Sequence, residues 1–416
     1  MKSSLWLSRV GLISILGISG LPLMIAAPSF SQPNPVENKE RSVALKEAEA
    51  LNQQVNQLNK QGKYQEAIPI AQRALSIREK ALGTEHPSVA NSLMILALLY
   101  RTQGNYPAAE PLYKRALAIR EKALGSENPF VAISLNNLAL LYDLQGNYPA
   151  AEPLYKRALA INEKVLGSES SLVATNFNNL AELYRAQGNY PAAEPLYERA
   201  LAIREKALGT EHPDFANSLN NLAALYYLQG NYPAAEPLYK RALAIFEKAL
   251  GPEHRIVATS LNNLAALYDS QGNYPDAEPL YKRALAIYEK ALGTEHPNVA
   301  DSLNNLAVLY QAQGDINMAI TFLQKGLGVQ EVNLKLNLSS GTETQKQAYM
   351  KTVSRTTDAT VSLHVQAAPT NPAATRLALT PPFCNAKVVF SISYRPTCKP
   401  SANTSPPTSN HSLTNG

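Results

Sequence analysis

The feature that most constrains this chain is a spacing. Glycines stand at Gly62, Gly104, Gly146, Gly188, Gly230, Gly272 and Gly314, each 42 residues after the one before. The interval never slips, so no insertion interrupts the series. A fixed period of this length marks a stack of like units, not one globular core. Inside a unit the pattern is helical. In the stretch SLNNLALLYDLQ, Leu135, Leu138, Ala139, Leu141 and Tyr142 recur at three- and four-residue steps, which places them on one helix face. After the glycine, Ala151, Leu154, Tyr155, Ala158 and Leu159 do the same. Each unit therefore reads as a helix, a tight turn at Gln-Gly-Asn, a second helix and a longer loop. Neither helix can bury its stripe alone, so successive pairs must pile up. The expected fold class is all-α, with about seven helix-turn-helix units.

Composition excludes several alternatives. At 416 residues a single core is improbable. Net charge is +5, of which Lys2 and Arg9 supply +2 in a segment expected to be removed. The remaining +3 is too slight to imply nucleic acid or an anionic membrane as partner. Cys384 and Cys398 are the two cysteines and both lie in the last stretch, so the array needs neither disulfides nor a thiolate metal site.

The repeated words carry a family resemblance. Small-Leu-Ala-x-Leu-Tyr, then Gly-x-Tyr, then Ala-x-x-x-Tyr-x-x-Ala-Leu resembles the tetratricopeptide repeat. The usual unit has about 34 residues. Here the surplus sits in the loops Leu82–Pro87, Leu208–Pro213 and Leu292–Pro297. The longer unit is similar to the repeats of kinesin light chains and of many bacterial scaffold proteins. The resemblance covers residues 42–331, about 70% of the chain. It implies a right-handed superhelical solenoid whose concave wall is lined by the first helix of each unit.

Residues 1–31 have a short basic start, an apolar middle and a small-residue end, the plan of a secretory signal peptide. Export to a periplasm or the extracellular space is expected. Residues 32–41 are polar, hold two prolines and read as a linker. The array, 42–331, opens on a polar leading helix and closes on an irregular unit, where Asp315-Ile316-Asn317 replaces Asn-Tyr-Pro and Gly326 and Gly328 should weaken the second helix. Pro107 and Pro149 suit a first helical turn, whereas Pro111 and Pro153, one turn further in, should cost a backbone bond.

In the family register the groove positions of one unit are Ile133, Asn136, Leu140 and Asp143. The following units place Thr175, Asn178, Glu182 and Arg185, then Asn217, Asn220, Ala224 and Tyr227, in the same positions. An asparagine recurs as Asn136, Asn178, Asn220, Asn262 and Asn304. Its amide offers two donors and an acceptor, and in the kinesin-light-chain relatives the resemblance implies a grip on the backbone of an extended peptide. The alternative is that these residues bond neighbouring helices and hold register. That alternative suits the second asparagine of each pair better, namely Asn137, Asn179, Asn221, Asn263 and Asn305. Arg101, Asp143, Glu182, Arg185, Tyr227 and Asp269 differ between units while the framework does not, so they carry what specificity there is. Their mixed signs, and a missing lysine, depart from the carboxylate clamp of chaperone-binding relatives.

Other recurring residues read as architecture. His86, His212, His254 and His296 lie in successive loops at least one helix-packing distance apart, about 8–10 Å, so no zinc reaches two of them and a turn or cap role is expected. Lys114-Arg115 and Lys156-Arg157 read as a solvated outer face. Tyr142, Tyr155, Tyr184 and Tyr197 fall at framework positions and read as core. No phosphate loop, HExxH or nucleophile elbow appears.

Residues 332–380 read as helical pieces around a polar loop. They resemble the connector that, in many cyanobacterial proteins, joins such repeats to a CHAT domain, a caspase-like cysteine peptidase fold. Residues 381–416 are rich in Pro, Ser, Thr and Asn and cannot bury a core. They read as a disordered tail. Back-translated from Pro382 and read one base earlier, the same stretch regains leucines at helical spacing, which points to a shifted frame. The whole reads as a non-catalytic, cofactor-free scaffold for a protein or peptide ligand, with no nucleic acid and, after leader cleavage, no membrane as partner. Two alternatives stand beside it: the recruitment arm of a CHAT-type peptidase that has lost its catalytic part, and a structural solenoid that self-associates through its end units.

Overall fold

The computed structural model describes residues 35–60 and 63–340, with side chains described for 38–59 and 63–331. The expected leader at 1–31, the turn glycine Gly62, most of the connector and the tail at 381–416 lie outside the described residues. Fourteen helices, and no strand, make up the described chain. The first helices of the units are α1 (Pro35–Lys60), α3 (Pro87–Thr102), α5 (Pro129–Leu144), α7 (Ser171–Ala186), α9 (Pro213–Leu228), α11 (Arg255–Ser270) and α13 (Pro297–Ala312). The second helices are α2 (Tyr64–Leu82), α4 (Tyr106–Leu124), α6 (Tyr148–Leu166), α8 (Tyr190–Leu208), α10 (Tyr232–Leu250), α12 (Tyr274–Leu292) and α14 (Ile316–Ser340). Seven antiparallel pairs result, and each packs on the pair that follows it. The 32–41 stretch expected as a linker is helical from Pro35 onward. A proline at the first helical position gives up only a donor that would have no intrahelical partner.

The turn inside each unit explains its glycine. Gly146 has φ +75°, a left-handed conformation that side chains with a Cβ rarely adopt. Its N–H bonds Asp143 O at 2.9 Å and the next N–H, of Asn147, reaches back to Tyr142 O at 2.8 Å. This pair of bonds closes the C-terminus of the first helix. The longer loop ends on a side-chain cap. Nδ1 of His86, His212, His254 and His296 accepts the N–H two residues on at 3.1, 3.1, 3.2 and 3.1 Å. Asn128 does the same at 2.9 Å in its own unit. An accepting Nδ1 must be unprotonated, and burial pushes the pKa of His86, His254 and His296 down.

Small residues let the two helices of a pair approach. Ala97 and Ala109, Ala139 and Ala151, and Ala181 and Ala193 are all fully buried. Larger groups then join one pair to the next. Tyr142, Tyr184, Tyr268 and Tyr310 donate to Glu110, Glu152, Glu236 and Glu278 of the preceding unit at 2.7–3.1 Å. The Lys-Arg pairs expected to be merely solvated are ion-paired on the surface. Arg115 reaches Glu79 of the unit before at 2.7 Å, and Lys114 pairs with Glu110 at 2.7 Å. Such exposed pairs contribute little, about 0–1 kcal/mol each.

The closing unit corrects one expectation. α14 runs unbroken through Gly326 and Gly328. A Cβ on Gly326 would stand 2.6 Å from Asn304 Oδ1, so that glycine serves close packing against α13. Nothing lies within 4 Å of a Cβ on Gly328.

Candidate functional site: the inner wall

Among the odd helices, α5 touches α7 and α9 touches α11, while the even helices approach one another less closely. The stack therefore curves with the odd helices inside. Their groove-facing rows form one continuous wall.

Along that wall the two sets of asparagines interlock. Asn221 Nδ2 donates to Asn178 Oδ1 at 2.7 Å, and Asn263 Nδ2 to Asn220 Oδ1 at 3.2 Å. The first asparagine of one unit is thus held by the second asparagine of the next. Asn136 Oδ1 is held instead by Asn176 Nδ2 at 3.1 Å. Asn262 Nδ2 donates to Ser302 Oγ at 3.3 Å. Asn304 packs against Gly326. The sequence left peptide grip and register-holding as rival roles for the first set. For Asn136, Asn178 and Asn220 the structure shows the register-holding bond, made through the carbonyl oxygen, while the half-buried amide N–H₂ has no hydrogen-bond partner among the described residues.

A second row lies at the last turn of the odd helices and reads Arg101, Asp143, Arg185, Tyr227, Asp269. Beneath it run Tyr113, Tyr155, Tyr197, Tyr239 and Tyr281 from the even helices, all at most 1% exposed. Each of these tyrosines feels the field of the wall residue in its own unit, and burial pushes every one of their pKa values up. Asp143 is buried at 4% exposure, deeper than a groove-lining role required. Arg185 is tied to Glu182, which also accepts from Tyr197 Oη at 2.7 Å. Burial opposes the Arg185 charge, but Glu182 more than offsets it. Tyr227 Oη meets Ser270 Oγ at 2.7 Å. The Asp269 carboxylate has no hydrogen-bonded or ionic partner among the described residues, and burial raises its pKa to about 6.

Sequence reasoning missed the residues that back this wall. Position 78 of α2 repeats as Arg120, Asn162, Arg204, Phe246 and Tyr288, all buried. Arg120 shows the arrangement. Nη1 bonds Phe130 O and Ser134 Oγ at 2.9 Å each, and Nη2 bonds Asn91 Oδ1 at 2.7 Å. Arg204 likewise joins Asp214 O, Ser218 Oγ and Thr175 Oγ1. Where the arginine becomes Asn162, the facing serine becomes Asn176, and the two amides bond at 2.7 Å. The signal was present as a joint change at two positions 14 residues apart.

Among the described residues no group of three or more His, Cys, Asp or Glu is placed to hold a metal ion. Nor is any described helix long and apolar enough to cross a membrane.

Comparison with solved structures finds stacks of the same kind. The crystal structure of BtubC (BKLC) from P. vanneervenii is 25% identical, over 62% of this chain and 94% of that one, with a TM-score of 0.45. A putative kinesin light chain from Podosopora anserina with nearly identical TPR-like repeats is 32% identical, over 50% of this chain and 98% of that one, with a TM-score of 0.43. The apo form of RapI, at 17% identity, covers 68% of this chain and 98% of its own with a TM-score of 0.51, and shares the fold. Comparison with curated proteins returns no match. A tetratricopeptide repeat model matches residues 46–122, 93–164, 172–248, 214–290 and 257–331, more than half of the chain, and the protein belongs to the tetratricopeptide repeat family.

Proposed function

We propose that this protein is a non-catalytic scaffold that holds an extended segment of a partner protein against its inner wall. One observation carries the reading. Asn136, Asn178 and Asn220 are each pinned through their oxygen, and at one 42-residue interval each has an N–H₂ with no hydrogen-bond partner among the described residues. A row of such donors suits backbone carbonyls, which every peptide supplies whatever its side chains. The framework around the row hardly changes between units, whereas Arg101, Asp143, Arg185, Tyr227 and Asp269 alternate between basic, acidic and aromatic side chains. Affinity from the constant row and selectivity from the variable one is an economical division for a binding surface.

Alanine at Asn178 and Asn220 would remove both the ligand donors and the rungs to Asn221 and Asn263. The cleaner test is Asn178→Asp with Asn220→Asp, which keeps each acceptor and removes each donor. Peptides retained by the wild-type protein should bind the double variant at least tenfold more weakly, with its melting temperature little changed. Unaltered binding would show that the asparagines are architectural only.

The sequence readings at the two ends extend the proposal. Export rests on residues 1–31, and a mature N-terminus at Gln32 in secreted material tests it. The resemblance of residues 332–380 to a pre-CHAT connector makes a peptidase the kind of partner for which such an arm would recruit.

A further inference from the structure

The last pair of the stack is closed to solvent where an end unit should be open. An inner unit is covered on its far side by the first helix of the unit that follows. Ala139, Ala151 and Tyr155, for example, pack under Leu180 and Leu183 of α7. No described helix follows α14. At the same positions of the last pair, Ala307, Ala319 and Leu323 are nevertheless buried. Two neighbours are buried more deeply than their counterparts one unit earlier. Leu327 is 5% exposed where Leu285 is half-buried, and Ile320 is 4% exposed where Glu278 is half-buried. The second change is also one of chemistry. Glu110, Glu152, Glu236 and Glu278 each accept a hydrogen bond from the tyrosine of the next unit, and an isoleucine cannot. Tyr281 likewise gives way to Leu323. The end face is therefore built for an apolar cover and not for another copy of the repeat.

We propose that residues 341–380 supply that cover, seated on the last pair across Ile320, Leu323 and Leu327. The structure holds one chain, so what shields these side chains belongs to the same chain. The rest of α14 cannot do it, because its remaining residues run on along the helix axis at about 1.5 Å each and leave its own flank bare. The chain before Pro35 joins the stack at α1, the opposite end. The chain after Ser340 starts beside the face in question. It also carries suitable side chains. Tyr349, Met350 and Val353 are spaced as one apolar helix face, among Gln, Thr, Lys and Ser residues that suit a solvated outer side. A segment seated there is held at a set position relative to the inner wall instead of trailing from it. The inference goes beyond the scaffold reading and does not rest on it.

Limited trypsin digestion of the full-length protein, read by mass spectrometry, is the test. Cleavage inside a packed segment waits on local opening. Lys351 and Arg355 lie within the proposed cover and Lys387 beyond it. Cleavage after Lys351 and Arg355 should be slower than after Lys387 by about tenfold or more. Tyr349→Ser with Val353→Ser removes the apolar face of the cover without touching the array, and should bring cleavage after Lys351 and Arg355 up to the Lys387 rate. Leu323→Gln should do the same from the other side of the contact, with unchanged hydrogen exchange at α4 and α5 showing that the array still folds. Wild-type cleavage after Lys351 as fast as after Lys387 would overturn the proposal, and so would protection that survives both variants. Protection that develops only at concentrations where sedimentation shows a dimer would give the face to a second copy and overturn it too.

Discussion

Arg120→Met is the substitution whose cost can be worked most closely from the structure. Arg120 is 3% exposed and no carboxylate among the described residues neutralises it; burial pushes its pKa from 12.5 down to about 10. That depression is roughly 3 kcal/mol against the charged form. Three hydrogen bonds oppose it, to Phe130 O, Ser134 Oγ and Asn91 Oδ1. Bonds from a charged donor contribute about 1.5–3 kcal/mol each, so the clamp is net stabilising by a few kcal/mol. Methionine keeps most of the volume and removes all three bonds. Ser134 Oγ can still donate to Phe130 O, 3.3 Å away, which softens the loss. The expected destabilisation is about 2 kcal/mol. The array should still fold, because Phe246 fills the same place three units later and leaves Ser260 Oγ without a partner. Arg120→Lys should cost nearly as much, since a point charge cannot bridge three acceptors. Repeat arrays do not always unfold in two states, so the measurement is hydrogen exchange at the α4 and α5 amides beside urea melts. A methionine variant as stable as wild type, or more so, would mean that desolvation outweighs the bonds, and the clamp would not be what joins these units.

The histidine caps predict a pH dependence. His86, His254 and His296 have pKa values lowered below 6.5, mainly by burial. Their contribution is therefore present above pH 6.5 and lost as pH falls through the depressed folded values. Each lost cap costs up to about 1 kcal/mol. The triple His→Asn variant, which repeats the cap that Asn128 already makes, should melt with a visibly flatter profile between pH 7 and 5. An equally steep profile would place the acid sensitivity elsewhere. Gly328→Ala should stabilise α14 by about 0.5–1 kcal/mol, because its Cβ meets nothing. Gly326→Ala should gain nothing or lose stability, because its Cβ displaces Asn304. Equal melting temperatures for the two variants would remove the packing argument for Gly326.

The sequence made the architecture legible because one short pattern is repeated with no insertions. Period, turn glycines and apolar stripes each pointed to the same helix pairs. The role of the loop histidines was legible too, since spacing alone kept them from a common metal. What escaped was whatever depends on contacts between units. Nothing in Asn178 or Asn221 taken alone says that they bond to each other, because the contact is made between helices 43 residues apart. The burial of Asp143 was hidden for the same reason, whereas Glu182 and Arg185 stand three residues apart on one helix and their pairing could have been read from spacing. A groove register states which way a position faces, not how deep it sits. The Arg120 clamp was legible only as a joint change, and one such change, at Asn162 and Asn176, is easily read as drift. Gly326 reads as a helix-weakening residue until the side chain across from it is known.

The central claim is that the inner wall formed by the odd helices is the surface that holds a partner. A photo-crosslinking amino acid placed at Leu140 on that wall, and in a second variant at Lys156 on the outer face, tests it with a selected peptide. The account predicts crosslinks from position 140 and none above background from position 156. Crosslinks from position 156 alone would put the binding surface on the outside of the stack and contradict it.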